Sequence, residues 1–327
     1  MRHIMSSRVC WRCLLAVTAW LAVAPTARAD YPEQPIRVLM PFPPGGAVDL
    51  VTRLVTERMT ADLGRGFVME NRSGAGGVIA TEAAAKASPD GYTLLVATPN
   101  HTILAALKPK LPYDAEKDLV PVALLGAIPM LLVSYPGAPF TTFAGLVDHA
   151  KANTGKLNYS SAGNGTLPHL AMEMMLRGIG AQVAHVPYRG AAPAMTDLLA
   201  GHVQLKFDTY ATSSEHVAAG KLNALAFASL ARSRLMPAVP TLAESGLPGF
   251  EGILWIGMLA PTGTPRPIIE RLSAAMARAV AVPDLAARLA RDGVEPMDPR
   301  PEAFAALITK ELGLWRELPR NTSVTLD

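Results

Sequence analysis

The chain is poor in cysteine, in charge and in aromatic rings. Among its 327 residues are two cysteines, 17% charged residues and 6% aromatics, against 50% hydrophobic residues. Globular proteins average roughly 25% charged, so the composition is apolar for a soluble protein. It also excludes disorder, which needs low hydrophobicity and high net charge. No internal repeat of solenoid period is present. The 26 glycines and 28 prolines are scattered without the period of collagen or of a low-complexity tract. The length suggests about two domains. A chain of this size buries about three quarters of its unfolded surface, so its core can hold the fold without disulfides.

Long hydrophobic runs are also missing. After residue 30 no apolar run reaches the roughly 20 residues that span a bilayer; Met130–Tyr135 is only strand-length. The N-terminus holds a shorter run. Arg2, Arg8 and Arg12 precede the apolar stretch 13–23, followed by Pro25 and by Ala27-Arg28-Ala29 ahead of Asp30. Basic, apolar and small-residue regions in that order read as a cleaved export signal over residues 1–29. Cys10 and Cys13 then leave with the signal, which removes thiol, disulfide and C-x-x-C chemistry from the mature protein. The segment also carries four of the 30 cations and no acid, leaving 26 cations against 27 acids, a net charge of −1. Phosphate binding needs a basic stripe, so nucleic acid is not an expected partner.

The rest alternates strand and helix by periodicity and turn punctuation. Strands are expected at Ile36–Phe42, Phe67–Asn71, Tyr92–Ala97, Val120–Ala127, Met130–Tyr135, Leu157–Ser161, Gln182–Tyr188, Val203–Phe207, Ala224–Ser229 and Ile253–Met258. Helices are expected at Val48–Leu63, Val78–Ala87, Thr142–Asn153 with Thr142 as N-cap, His169–Arg177, Pro193–Ala200, Pro267–Val280, Leu285–Arg291 and Glu302–Leu318. This is an α/β pattern of mostly parallel sheets flanked by helices. Two such sets lie on either side of residues 128–135. The C-terminal helices pack most simply back onto the first set. That implies a discontinuous lobe 1 (30–129 and 254–327), a lobe 2 (130–253), two chain crossings and a hinge.

Ligands of open α/β sheets bind beyond the carboxyl ends of the strands, and four loops lie there. In the first, Phe42-Pro43-Pro44-Gly45-Gly46-Ala47-Val48-Asp49, two glycines let the backbone approach a ligand. The following helix start favours an anion. The same residues also suit a plain tight turn, with Asp49 complementing the helix dipole. The second, Asn71–Gly77, contains Arg72, whose preferred reading is a structural pair with Glu70 or Asp49. The third, Ser160–His169, offers Ser161, Asn164 and Thr166 either as hydrogen-bonding groups for a polar ligand or as ordinary caps. His169 there reads as a helix-start histidine satisfied by backbone, because one further acid at Glu173 falls short of the usual three zinc ligands. The fourth, Val186–Ala194, joins strand to helix through Gly190, Ala191 and Ala192, with Arg189 facing either the ligand or the rim. Asp208 ends the next strand within reach of the same crevice.

Enzyme constellations are missing: no Walker motif, no G-x-S-x-G elbow, no H-E-x-x-H and no recognisable catalytic carboxylate pair. No catalytic residue, metal site or cofactor is expected, and a hydrolase or isomerase lacks its nucleophile and base.

Nine segments in order carry a resemblance. They are Tyr31–Arg37 with Pro41–Asp49, Glu70–Gly77, Pro89–Leu94, Leu111–Asp114, Gly155–Tyr159, Ser161–Gly165, Pro168–Ala171, Val186–Gly190 and Pro240–Phe250. Together they resemble the tripartite tricarboxylate transporter receptors, also called Bug-type extracytoplasmic solute receptors. The resemblance implies a two-lobed, type 2 periplasmic binding protein, monomeric, closing on a small carboxylate (a dicarboxylate, tricarboxylate, aromatic carboxylate or amino acid). It implies delivery to a two-subunit integral membrane permease; a sensory partner of a membrane kinase would use the same pocket. The implied ligand-binding residues are Phe42, Pro44, Gly45, Gly46, Ala47, Asp49, Ser161, Asn164, Thr166, Gly190, Ala191, Ala192 and Asp208. One departure stands out. In Gln204-Leu205-Lys206-Phe207-Asp208 an apolar residue is expected where Lys206 stands. Lys206 points to solvent if its strand is an edge; otherwise it alters the pocket.

Overall fold

The computed structural model describes residues 31–108 and 110–321. The expected export signal, with its expected cleavage site ahead of Asp30, lies outside the described residues. The described chain forms a two-lobed α/β fold.

Lobe 1 starts with β1 (Ile36–Met40), α1 (Ala47–Leu63), β2 (Phe67–Asn71), a 3₁₀ turn (Ala75–Gly77), α2 (Val78–Ala85), β3 (Thr93–Ala97) and α3 (Asn100–Leu107). Then comes β4 (Leu119–Ser134). Lobe 2 continues with α4 (Phe143–Ala152), β5 (Asn158–Ser161), α5 (Leu167–Ile179), β6 (Ala184–Pro187), α6 (Ala191–Leu199), β7 (Leu205–Thr209), α7 (Tyr210–Ala218) and β8 (Asn223–Phe227). The chain returns through β9 (Ile253–Pro261) and ends with α8 (Arg266–Ala281), α9 (Pro283–Arg291) and α10 (Pro301–Asn321).

The two sheets share one design. Lobe 1 runs β2-β1-β3-β9-β4 and lobe 2 runs β6-β5-β7-β4-β8. In each, three outer strands are parallel and a crossing strand from the other lobe enters antiparallel. The parallel trios are the βαβ portions; the antiparallel strands exist because the chain must come back.

β4 is one strand of 16 residues rather than the two expected. Residues 119–129 pair with β9, and residues 130–134 pair with β7 and β8. Pro129 sits where the partner changes. Proline has no N–H for a ladder, so it breaks the sequence pattern while marking where the strand leaves one sheet for the next. The second crossing is at Gly252, whose carbonyl accepts from Met130 N–H at 3.0 Å and whose N–H donates to Ala228 O at 2.9 Å.

Helices α3 and α7 are additions to the expected pattern. Each is short and begins directly at a strand end, and α7 (YATSSEHVA) has little apolar periodicity. Elsewhere the local signals hold: Thr142 caps α4 by accepting from Gly145 N–H at 3.1 Å. The lobe 1 core packs β1, β3, β4 and β9 against α1, α8 and α9, from Val38, Val51 and Val55 to Leu272 and Met276. On lobe 2, Leu205 and Phe207 face α5, while Leu131 and Val133 face Met195 and Leu198 of α6. Ile103 and Leu104 of α3 join the lobe 2 core, so the lobes stand in contact.

Candidate functional site

A cavity open to solvent lies between the lobes. The starts of five helices line it: Gly46–Asp49 of α1, Asn100 of α3, Thr166 and Pro168 of α5, Ala191 and Ala192 of α6, and Thr209 before α7. None of the five N-cap residues closes its own helix with a side chain. The first N–H groups of a helix have no intrahelical partner, and the dipole adds positive potential. Converging helix starts therefore make a site for an anion. The two crossings supply the apolar floor, Met130 from β4 and Leu254 from β9.

The expected site residues divide between this cavity and its surroundings. Phe42, Pro44, Gly46, Ala47, Asp49, Thr166, Ala191, Ala192 and Asp208 line it. Asn164 and Gly190 line an adjoining cavity that shares Phe42, Pro43 and Ala162 with the first. Gly45 lines neither: it is exposed with φ +92°, and its N–H reaches Asp49 Oδ2 at 3.2 Å. Ser161 is fully buried behind the third loop, with Oγ 2.6 Å from His185 Nε2.

That serine belongs to a buried stack. His185 lies flat against His169 at 4.1 Å between ring centroids and against Tyr159 at 4.8 Å. His169 Nδ1 accepts from Gly165 N–H at 3.2 Å, so the backbone satisfies it. Burial, with the His169 ring beside it, pulls His185 down to about 4. Burial also lowers His169, against Glu173. Both rings are therefore neutral near pH 7.

The charges facing the cavity are paired. Asp49 accepts from Gly45 N–H and from Arg53 Nε at 3.0 Å. Burial pushes its carboxyl up, but Arg53 and the Gly45 N–H outweigh that and hold it below the usual range. Arg72 pairs with Glu70 at 2.6 Å, as its structural reading requires. Arg189 is exposed on the rim of the adjoining cavity. Lys206 is different. Its strand β7 lies between β4 and β5 and is no edge, so Lys206 is 1% exposed and lines the cavity, with Nζ 2.7 Å from Asp208 Oδ1.

The lobes meet at two glycines. Gly190 has φ +123°, and a Cβ there would lie 2.9 Å from Pro43 Cδ of the opposite lobe. Gly76 has φ +68°, and its Cβ would lie 3.1 Å from the Asn164 carbonyl oxygen. Asn100 adds a hydrogen bond across the gap: its Oδ1 accepts from Leu167 N–H at 3.1 Å while its Nδ2 donates to Gly76 O at 3.0 Å. Sequence reasoning passed over Asn100, although Thr98-Pro99-Asn100 follows a strand as the other site loops do. Met130 and Leu254 carried no signal, because only the crossings bring them to the cavity.

Two lobes crossed twice by the chain, with helix starts turned into the cavity between them, define a solute-binding protein. The chain belongs to the family described as tripartite tricarboxylate transporter family receptor, which its residues 51–323 match. This is a family of periplasmic solute-binding receptors, not of enzymes. BugT of Bordetella pertussis (strain Tohama I) is 35% identical over 315 residues, 96% of this chain and 96% of BugT. The periplasmic binding protein BugD is similar in structure at TM-score 0.85 and 34% identity, over 89% of this chain and 98% of BugD. MatC of Rhodopseudomonas palustris with bound malate gives a TM-score of 0.84 at 35% identity, over 88% and 99% of the two chains. An R. palustris protein with adipate gives 0.85 at 31%, over 89% and 97%. Among the described residues no helix is long and apolar enough to cross a membrane.

Proposed function

We propose that this chain is an exported receptor that captures a small carboxylate between its lobes and delivers it to a two-subunit integral membrane permease. The observation that carries the reading is the convergence of five helix starts, none closed by its N-cap side chain, on one interlobe cavity. The carboxylate accepts from the backbone of Gly46–Val48 on lobe 1 and of Gly190–Ala192 on lobe 2, with Thr166 beside it. The malate and adipate bound by related proteins support the ligand class, and the family's description supports the transporter.

Residues 30–129 with 254–327 form one moving body and residues 130–253 the other, hinged at Pro129 and Gly252. Ligand touches both bodies only in the closed state, and this supplies the differential affinity that closure requires. Residues 1–29 direct the chain to the periplasm. Calorimetry and thermal shift of the mature protein against di-, tri- and monocarboxylates test the reading. A bound carboxylate raises the melting temperature with concentration, and scattering shows a more compact particle. Absence of any carboxylate binding across the panel overturns it.

A further inference from the structure

Lys206 is a nearly fully buried lysine on the wall of a ligand cavity. Side chains two apart on a strand share a face, so Lys206 and Asp208 lie together, opposite Leu205 and Phe207. Register places Lys206 beside Val133 and Asp208 beside Leu131. Those two valine and leucine side chains pack on Met195 and Leu198 of α6. The lysine stem therefore runs through an apolar layer and delivers its ammonium at the carboxyl end of β7, next to the start of α7.

The hydrogen bonds there are unequal. Asp208 has both oxygens engaged: Oδ1 by Lys206 at 2.7 Å and Oδ2 by Ser213 Oγ at 3.0 Å. An ammonium has three N–H donors, and among the described residues Asp208 is the one acceptor that Lys206 meets. Each aspartate oxygen carries one protein donor, whereas the lysine meets one acceptor and retains N–H donors. The pair is neutral as a whole, and the start of α7 adds positive potential.

From this we infer that Lys206 determines specificity: it takes the second carboxylate of an aliphatic dicarboxylate. By occupying Asp208 it also turns away ligands that carry an ammonium group. The proposal rests on the carboxylate-receptor reading and deepens it. The first carboxylate lies on the backbone donors of lobe 1, and the second receives charge-assisted hydrogen bonds from Lys206, which are stronger than neutral ones. A ligand ammonium would find both Asp208 oxygens already engaged by protein donors and a like charge beside them.

The probes are unbranched dicarboxylates of four to six carbons, the monocarboxylates of equal length, and L-aspartate and L-glutamate, titrated calorimetrically. Wild type binds its best dicarboxylate at least about a hundredfold more tightly than the matching monocarboxylate or amino acid. Lys206→Met with Asp208→Asn removes the pair without leaving a buried charge. It loses that hundredfold preference for the dicarboxylate over the matching monocarboxylate, with circular dichroism confirming the fold. Lys206→Met alone frees Asp208 and narrows the gap between dicarboxylate and amino acid. If the variants keep dicarboxylate affinity, or lose both ligand types equally, the assignment fails. It fails equally if wild type binds mono- and dicarboxylates alike, a result that needs no variant. If wild type binds no carboxylate at all, the receptor reading itself falls.

Discussion

The two walls of the cavity differ in kind. Lobe 1 presents Pro43, Pro44, Gly46, Ala47 and Val48, and its one ionised side chain there, Asp49, is held by Gly45 and Arg53. Lobe 2 presents Thr166, Lys206, Asp208 and Thr209 as well as the small residues of α6. Backbone N–H groups are the same whatever the residue, so under the proposed reading the lobe 1 wall would recognise an anion as such. Side chains vary, so the lobe 2 wall would choose among anions. Glycine serves each wall differently: Gly46 has an ordinary conformation with room for a Cβ, whereas Gly190 has a positive φ and lies close against the other lobe.

The largest expected effect tests that last contrast. Gly190→Ala puts a Cβ 2.9 Å from Pro43 Cδ at φ +123° and blocks closure. Carboxylate affinity should fall at least about a hundredfold, about 2.7 kcal/mol, in a protein that still folds. At Gly46 the Cβ would lie 3.9 Å from Ala191 Cβ with φ −86°. Gly46→Ala should therefore stay within about threefold of wild type, under about 0.7 kcal/mol. The reverse ranking, read by calorimetry, would break the comparison.

A second test asks whether the walls share a weakness, since a neutral histidine stands behind each. His101 of α3 lies 3.1 Å from Ala115 O, and burial pulls it down to about 4. The unfolded side chain titrates near 6.5. Between those values the unfolded chain binds more protons, so stability is complete above about pH 6.5 and falls as pH drops towards 4. For His101 the loss between pH 7 and 5 is on the order of 2 kcal/mol. His185 acts in the same direction and, being half-buried, by less. Glu311, raised by burial, opposes both. Urea titrations across this range should show the slope, and His101→Gln, which keeps a donor for Ala115 O, should flatten it more than His185→Gln.

Asn100→Ala removes the hydrogen bond that joins the walls. Affinity should fall about tenfold, about 1.4 kcal/mol, with little change in the unfolding midpoint of the free protein. The smallest effect belongs to Arg72→Ala. Its partner Glu70 is on the same lobe and both are partly exposed, so stability drops by about 0.5 kcal/mol and affinity is unchanged. A hundredfold loss of affinity with unchanged stability would move Arg72 into the site and give lobe 1 a charged wall.

Much of this was legible locally. Glycines, prolines and small residues between an apolar run and an amphipathic one marked the four site loops, because turn geometry and helix starts depend on neighbours in sequence. Nine of the thirteen expected site residues line the main cavity, and the loops are the reason. Local signals failed where local energetics were weak or contradictory. α7 is rich in serine and threonine, and Pro129 interrupts an otherwise continuous strand.

The sequence by itself determined the alternation of strand and helix and the small-residue loops at the carboxyl ends of the strands. Each of these follows from residues within a few positions of one another. Tertiary structure alone decided that Pro129 is a crossing and not a break, and that Met130 and Leu254 become one floor. It alone decided that Ser161 turns to His185, and that Lys206 lies inside rather than on an edge. Those outcomes depend on which strands flank β4 and β7. Their partners lie tens of residues away, and the sheet order that brings them together is a property of whole-lobe packing that no single segment encodes.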